Sequence, residues 1–206
     1  MIVIVDYGMG NLGSIKNMLG RLGVQSTVTS DPAAVVSAAK LILPGVGAFD
    51  NAMTRLANLG LVEALNEAVL RRRVPVLGIC LGMQLMSSRS EEGQLPGLGW
   101  IDAETVRFRF DGERTSIRVP HMGWNTLQIR EPRSVLRGLP EDSRFYFVHS
   151  YHVCCRNEAD VLAATDYGVP FHSVIGRGHI VGTQFHPEKS HRFGMHVLRN
   201  FAEPTA

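Results

Sequence analysis

The stretch Val76-Leu77-Gly78-Ile79-Cys80-Leu81-Gly82-Met83-Gln84 decides the fold. Val76 to Ile79 is a short apolar run with the character of a buried strand, and Leu81 to Ser88 reads as a helix. At their junction, Gly78-x-Cys80-x-Gly82 follows the nucleophile-elbow pattern Gly-x-Ser-x-Gly with sulfur in place of oxygen. The glycines suit a sharp turn and close backbone packing. Such a turn lifts the cysteine above the carboxyl edge of the sheet, where open α/β sheets bind their ligands. Free N–H groups at the start of the helix favour thiolate over thiol, and the Leu81 N–H is placed to hold a developing oxyanion. Gln84, four residues on, shares a helix face with Cys80 and is a candidate for contacting a polar substrate. A lone cysteine is more often buried and inert, but strand, glycines and helix together weigh against that.

Outward from the elbow, strands alternate with helices. Ile2–Val5, Gln25–Thr29 and Lys40–Leu43 read as strands, the last stopped by Pro44 and Gly45. Ser14 can cap a helix carrying Ile15, Met18, Leu19 and Leu22 on one face, and further helices are expected over 48–56 and 61–72. Arg71, Arg72 and Arg73 would then sit at a helix end, where positive charge suits the dipole. Strands spaced by helices imply right-handed crossovers and a parallel sheet. After Gly93, Trp100 to Phe110 and Arg118 to Ile129 carry short alternating stretches with antiparallel character. Phe145 to Val148 reads as a central strand, Ile180 to Phe185 as the last strand and His191 to Phe201 as a closing helix. The expected fold is therefore α/β: one domain over residues 1–206, with a mostly parallel central sheet flanked by helices and an added antiparallel portion.

Bulk properties narrow the function. Of 206 residues, 45% are apolar and 19% charged, ordinary for a soluble globular protein. The formal charge of +2 is too small to argue for nucleic acid or a membrane surface. No apolar run approaches the ~20 residues of a membrane span, and the N-terminus lacks the pattern of a signal peptide. Cys80, Cys154 and Cys155 are odd in number and two are adjacent, which argues against a disulfide framework and for a reduced, cytoplasmic setting.

A thiolate mechanism needs a histidine to move protons and a third group to orient it. His186 follows the strand Ile180 to Phe185 and is followed by Pro187 and Glu188. Residues two apart on an extended chain share a face, so Glu188 can reach the imidazole. If this strand lies beside that of Cys80, ring and sulfur meet. Pro44-Gly45-Val46-Gly47, after the third strand, can turn a backbone N–H at Val46 or Gly47 toward the same edge and complete an oxyanion hole with Leu81. His149 and His152 are three apart, but no cluster completes a metal site, so no metal and no cofactor are expected. Gly8-Met-Gly-Asn-Leu-Gly13 matches the dinucleotide fingerprint. Asp6 and Tyr7 intrude before it and Asp31 precedes a proline, so a tight loop explains the glycines as well.

Together, Pro44-Gly-Val-Gly, Gly78-Ile-Cys-Leu-Gly-Met-Gln and His186-Pro-Glu resemble the triad-type, class I glutamine amidotransferases, in the same chain order. Asp6-Tyr-Gly-Met-Gly-Asn-Leu, Pro44-Gly-Val-Gly-Ala-Phe, His121-Met-Gly-Trp-Asn, Tyr146-Phe-Val-His-Ser-Tyr and Phe185-His-Pro-Glu-Lys-Ser are similar to the imidazole glycerol phosphate synthase branch of that family. The resemblance runs from Met1 to about Phe201. It implies a glutaminase in which Cys80 forms a glutamyl thioester, His186 relays protons and Glu188 orients it. It further implies glutamine contacts at Gly47, Leu81, Gln84 and the backbone of His149, Ser150 and Tyr151. Ammonia would pass to a separate (β/α)8-barrel cyclase subunit, faced by Asn11, Met122, Trp124, Asn125, Tyr146 and Lys189. Trp100 stands where an aliphatic residue is expected, and Glu91 to Gly97 offers no match that can be used. A partner also follows from chemistry: ammonia released into neutral water is protonated and ceases to be a nucleophile, so it must travel a shielded path.

Overall fold

The computed structural model describes residues 1–110, 117–132 and 134–203; the last three residues of the expected 1–206 unit lie outside them. Four strands form where the sequence places them: β1 (Ile2–Val5), β2 (Ser26–Thr29), β3 (Lys40–Leu43) and β4 (Val76–Ile79). They line up in parallel as β2-β1-β3-β4, joined on the far side of β4 by the parallel β13 (Ile180–Thr183). Beyond β13 the sheet turns antiparallel through β12 (Pro170–Arg177), β10 (Tyr151–Cys155) and β6 (Ala103–Arg107), and the short β5 (Arg89–Ser90) lies parallel to β6 at its edge. β11 (Val161–Asp166) and β8 (Gln128–Ile129) branch from β12.

Both faces of the parallel strands are covered, as their continuous apolar character requires. Val3, Val5, Leu41, Leu43 and Val76 pack against α3 (Phe49–Asn58) and α4 (Leu61–Asn66). Ile2, Ile4, Ile42, Leu77 and Ile79 pack against α1 (Leu12–Arg21) and α6 (His191–Ala202). Each helix buries one stripe, for example Phe49, Ala52, Met53 and Leu56 of α3. A short α2 (Pro32–Val36) begins at Asp31, whose carboxylate accepts from the Ala33 N–H at 3.0 Å. That capping role removes Asp31 from any dinucleotide reading of the Gly8 to Gly13 loop.

Several expectations are corrected. α1 begins at Leu12, so Ser14 lies inside its first turn rather than capping it. The helix over 61–72 is α-helical only to Asn66 and closes in a π-helical turn, Glu67–Arg71. The helix after Cys80, α5, spans only Leu81–Gln84. Met86 and Ser87 bond only to the carbonyls three residues back, Met83 and Gln84, and the Ser88 N–H is taken by the Ala103 carbonyl, so the i→i−4 ladder ends. Phe145 to Val148 belongs to β9 (Arg144–His149), which is not central. Among the described residues it pairs only with β7 (His121–Thr126), in a separate two-stranded ribbon. Phe145, Phe147 and His149 bury one face of that ribbon, while Tyr146 and Val148 point the other way. The last strand ends at Thr183, two residues early.

Trp100 is buried and donates to Asn66 Oδ1 at 2.8 Å, which accounts for an aromatic at that position. The segment from Glu91 to Gly97 docks on the start of α3: Glu92 accepts from the Phe49 N–H, and Asp50 accepts from the N–H groups of Gln94 and Leu95.

Candidate active site

The elbow is built by close packing rather than by glycine conformation. Cys80 itself takes the positive φ, 54° with ψ −108°, a costly conformation for a side-chain-bearing residue. Gly82 is needed for space: a Cβ there would stand 1.8 Å from the Leu43 carbonyl oxygen. At Gly78 it would stand 2.8 Å from the Gly82 carbonyl group. Pairing of Thr183 with Ile79, and the Cys80 N–H bonded to Thr183 O at 2.8 Å, bring the end of β13 against the sulfur.

β13 is the neighbour of β4, so the chain leaving it carries His186 to the thiol. Nδ1 of His186 lies 2.8 Å from Glu188 Oε1, and both side chains are 1% exposed. This contact is made in a 3-10 turn, Pro187–Lys189, and not across an extended strand as the sequence suggests. The backbone that carries the ring is also fixed: the main-chain N–H of His186 donates to Tyr146 O at 2.9 Å, and Ser190 Oγ donates to the His186 carbonyl at 2.7 Å while accepting from the Tyr146 N–H at 3.0 Å. Nε2 is buried without a partner at hydrogen-bonding geometry. Its surroundings still govern its proton: burial lowers the ring's affinity, but the neighbouring Cys80 sulfur and then Glu188 outweigh burial and raise the pKa from 6.5 to about 10.

The expected oxyanion donors are arranged differently. The Leu81 N–H donates to the Gly45 carbonyl at 3.3 Å and so is engaged. Gly47 has φ +107°, and the side chain of Val46 points outward, 41% exposed. Gly45 is crowded: a Cβ would meet Tyr7 Oη at 2.5 Å and Leu81 Cβ at 2.9 Å. Tyr7, missed as a site residue, is buried and donates to the Pro44 carbonyl at 2.6 Å, anchoring the base of this loop. Burial, and then the nearby Cys80, push its phenol well above the usual range.

Gln84 is buried rather than solvated, and its amide donates to Tyr151 O at 3.0 Å and to Gln184 Oε1 at 3.3 Å. Gln184 in turn donates to Cys80 Sγ at 3.7 Å. It was legible only as a polar residue inside an apolar strand run, a feature that demands a partner. Tyr151 O also accepts from His149 Nδ1 at 2.8 Å, and Ser150 O accepts from the Phe108 N–H at 3.0 Å. The backbone expected to hold a substrate is therefore already hydrogen-bonded within the chain.

Of the residues expected to face a partner, Met122 (62% exposed) and Trp124 (46%) lie on the outer face of the β7–β9 ribbon. Trp124 pairs across it with Tyr146, ring centroids 6.0 Å apart, and Lys189 Nζ sits 5.7 Å over the Tyr146 ring. Asn11 is exposed at the start of α1, which packs against the turn carrying Lys189. Asn125 is on the opposite face of the ribbon, its amide bonded to Asp166 O at 2.8 Å and to His121 Nε2 at 3.4 Å. Cys80, Cys154 and Cys155 are free thiols. Among the described residues, no group of three or more His, Cys, Asp or Glu could hold a metal, and no helix is long and apolar enough to cross a membrane.

Comparison with known proteins agrees with this geometry. The family described as glutamine amidotransferase class-I matches residues 3–204. The chain is 50% identical over 201 residues to imidazole glycerol phosphate synthase subunit HisH 2 of Methanococcus maripaludis, covering 98% of each chain. It is 48% identical over 203 residues to the protein of the same name from Pseudomonas aeruginosa, covering 98% of this chain and 99% of that one. A crystal structure of a glutamine amidotransferase superposes with a TM-score of 0.72 at 20% identity, covering 98% of this chain and 99% of the other, a likeness of fold.

Proposed function

This chain belongs to the class I glutamine amidotransferase family, and from that premise we propose that it is the glutaminase subunit of an imidazole glycerol phosphate synthase. It hydrolyses glutamine and delivers ammonia to a separate (β/α)8-barrel cyclase subunit, as one step of histidine biosynthesis. The observation that carries the reading is the buried His186–Glu188 pair set against Cys80 at a strand–helix elbow.

In this reading Cys80 attacks the side-chain amide carbon of glutamine. The His186 imidazole, whose affinity for a proton is raised, takes the thiol proton and passes it to the departing ammonia. Glu188 holds Nδ1 and stabilises the imidazolium. A glutamyl thioester remains, which water attacks with His186 as base, releasing glutamate. Leu81, with Val46 or Gly47, supplies the oxyanion donors. Because the Leu81 N–H rests on Gly45 O, the loop from Pro44 to Gly47 must turn a peptide to open the hole, and the bound partner's substrate supplies the bias for that rotation. Gly47, Leu81, Gln84 and the His149–Tyr151 backbone hold the glutamine. Asn11, Met122, Trp124, Tyr146 and Lys189 face the cyclase, and Asn125 supports the ribbon behind them. No cofactor or metal is required. Continuity of the large sheet supports reading residues 1–206 as one domain, and the free thiols support a cytoplasmic setting.

The test is co-purification with a candidate cyclase, then glutamate release with and without the cyclase's ribotide substrate. Cys80→Ala is expected to abolish glutamine-dependent synthesis and to spare synthesis fed with ammonium salts. Parallel loss of both activities would overturn the division of labour.

A further inference from the structure

We propose that Gln184 is a further catalytic residue: its side-chain amide donates a hydrogen bond to the Cys80 sulfur and is held nitrogen-first by Gln84, which the Tyr151 carbonyl of β10 orients in turn. The proposal rests on Cys80 being the nucleophile of the reading above.

The orientation of every group in this network follows from two backbone carbonyls, which can only accept. Tyr151 O fixes Gln84 with its NH2 forward, at 3.0 Å. That same NH2 lies 3.3 Å from the Gln184 amide, which must therefore present its oxygen there and its nitrogen to the sulfur 3.7 Å away. Tyr151 O also requires a proton on His149 Nδ1. A neutral His149 then leaves Nε2 bare, so His121 Nδ1, 3.2 Å away, must be the donor. His121 Nε2 is bare in its turn and accepts from Asn125, whose NH2 is oriented by the second carbonyl, Asp166 O. Both imidazoles must be neutral for the order of this second branch, which meets the first on Tyr151 O, to hold. Burial drives each of them down, His121 to about 4; at His149 burial outweighs the Tyr151 carbonyl, which favours the protonated ring, and the nearby His186 adds to the lowering.

Gln184 and His121 are 0% and 2% exposed, so these bonds form without competition from water. The bond from Gln84 polarises the Gln184 amide and strengthens its N–H as a donor. A donor on sulfur serves the reaction twice. It favours the ionised nucleophile before attack, and it receives the thiolate expelled when water cleaves the thioester. The titratable groups facing the sulfur are Tyr7, from the chain leaving β1, and His186 with Glu188 behind it, from the turn after β13. Gln184 is the neutral donor among them.

The experiment follows alkylation of Cys80 by iodoacetamide in the full chain, read at the Cys80 peptide by mass spectrometry so that Cys154 and Cys155 do not contribute. Gln184→Met keeps length and removes the donor. At pH 7 its Cys80 is expected to react about tenfold more slowly, equivalent to about 1.4 kcal/mol. The deficit should close near pH 10, where thiols are ionised without help. In the complex with the cyclase, kcat for glutamine hydrolysis should fall by a similar factor, with KM within about twofold. Wild-type alkylation at pH 7 in a variant with a native melting transition overturns the proposal, as does a deficit that persists to pH 10, which would indicate blocked access. Should Gln184→Met not fold, Gln184→Leu decides by the same criterion, since it too is uncharged, fills the space and removes the donor. Failure of these outcomes leaves the glutaminase reading intact, whereas hydrolysis that survives Cys80→Ala removes that reading itself.

Discussion

Cys80 holds a backbone conformation that would be abandoned in a free peptide, and the molecule keeps it there by crowding on both sides. The same crowding buries the groups that set its chemistry, so pH should register in stability as well as in turnover. His186 has a raised pKa in the fold, about 10 against an unperturbed 6.5. The folded chain therefore keeps a proton that the unfolded chain releases. The stabilisation is complete below about pH 6.5 and is lost as pH climbs through about 10. Melting temperatures should fall over that alkaline window, and Cys80→Ala should flatten the fall; an equal slope in both proteins would refute the coupling. His121 and His152 have the opposite sign, their pKa values depressed by burial to about 4. Their neutral forms are favoured in the fold, so stability is present above about pH 6.5 and is lost as pH falls toward 4. His121→Asn should soften the acid limb of the same melting series.

At the scale of elements, what was legible depends on how each one buries its residues. β1, β3 and β4 were readable to the residue, because a fully covered parallel strand is a plain apolar run stopped by proline, glycine or a polar residue. β10, β11 and β12 were not, since they mix buried His152, Thr165 and Ser173 with apolar neighbours and β12 opens on Pro170. The nucleophile, its histidine and the glutamate were legible from spacing. Gln184 and Tyr7 were not, because their roles depend on which strand lies beside which. The short length of α5 was hidden for a similar reason: the Ser88 N–H that would extend it goes to the distant Ala103 carbonyl. Two glycines make these contacts testable. Gly82→Ala places a methyl against the Leu43 carbonyl and should cost about 3 kcal/mol in denaturant unfolding. Gly194→Ala drives a methyl to 1.8 Å from the Pro187 carbonyl, displacing the turn between His186 and Glu188. It should reduce glutamine hydrolysis at least tenfold while ammonium-fed synthesis in the complex persists, and unchanged hydrolysis would show that the turn tolerates the shift.

For the whole molecule, the large sheet supplies the nucleophile and the histidine, while the separate β7–β9 ribbon supplies the outward apolar face. Trp124 stands at the centre of that face, flanked by Tyr146 and stacked on His191 with ring centroids 5.3 Å apart. Large aromatics in such settings concentrate binding energy. Trp124→Ala should weaken association with the cyclase by about 2 kcal/mol, roughly thirtyfold in Kd, measured by titration calorimetry; an unchanged Kd would move the docking surface elsewhere. The ribbon is also riveted to the site, because Tyr146, whose ring looks outward, gives its carbonyl to the His186 N–H and its own N–H to Ser190. A hand laid on the outside of this plate thus rests, one peptide away, on the proton carrier within. Even a nanobody gripping Trp124 and Tyr146, with no chemistry of its own to offer, would be felt as a change in the rate at which glutamate appears.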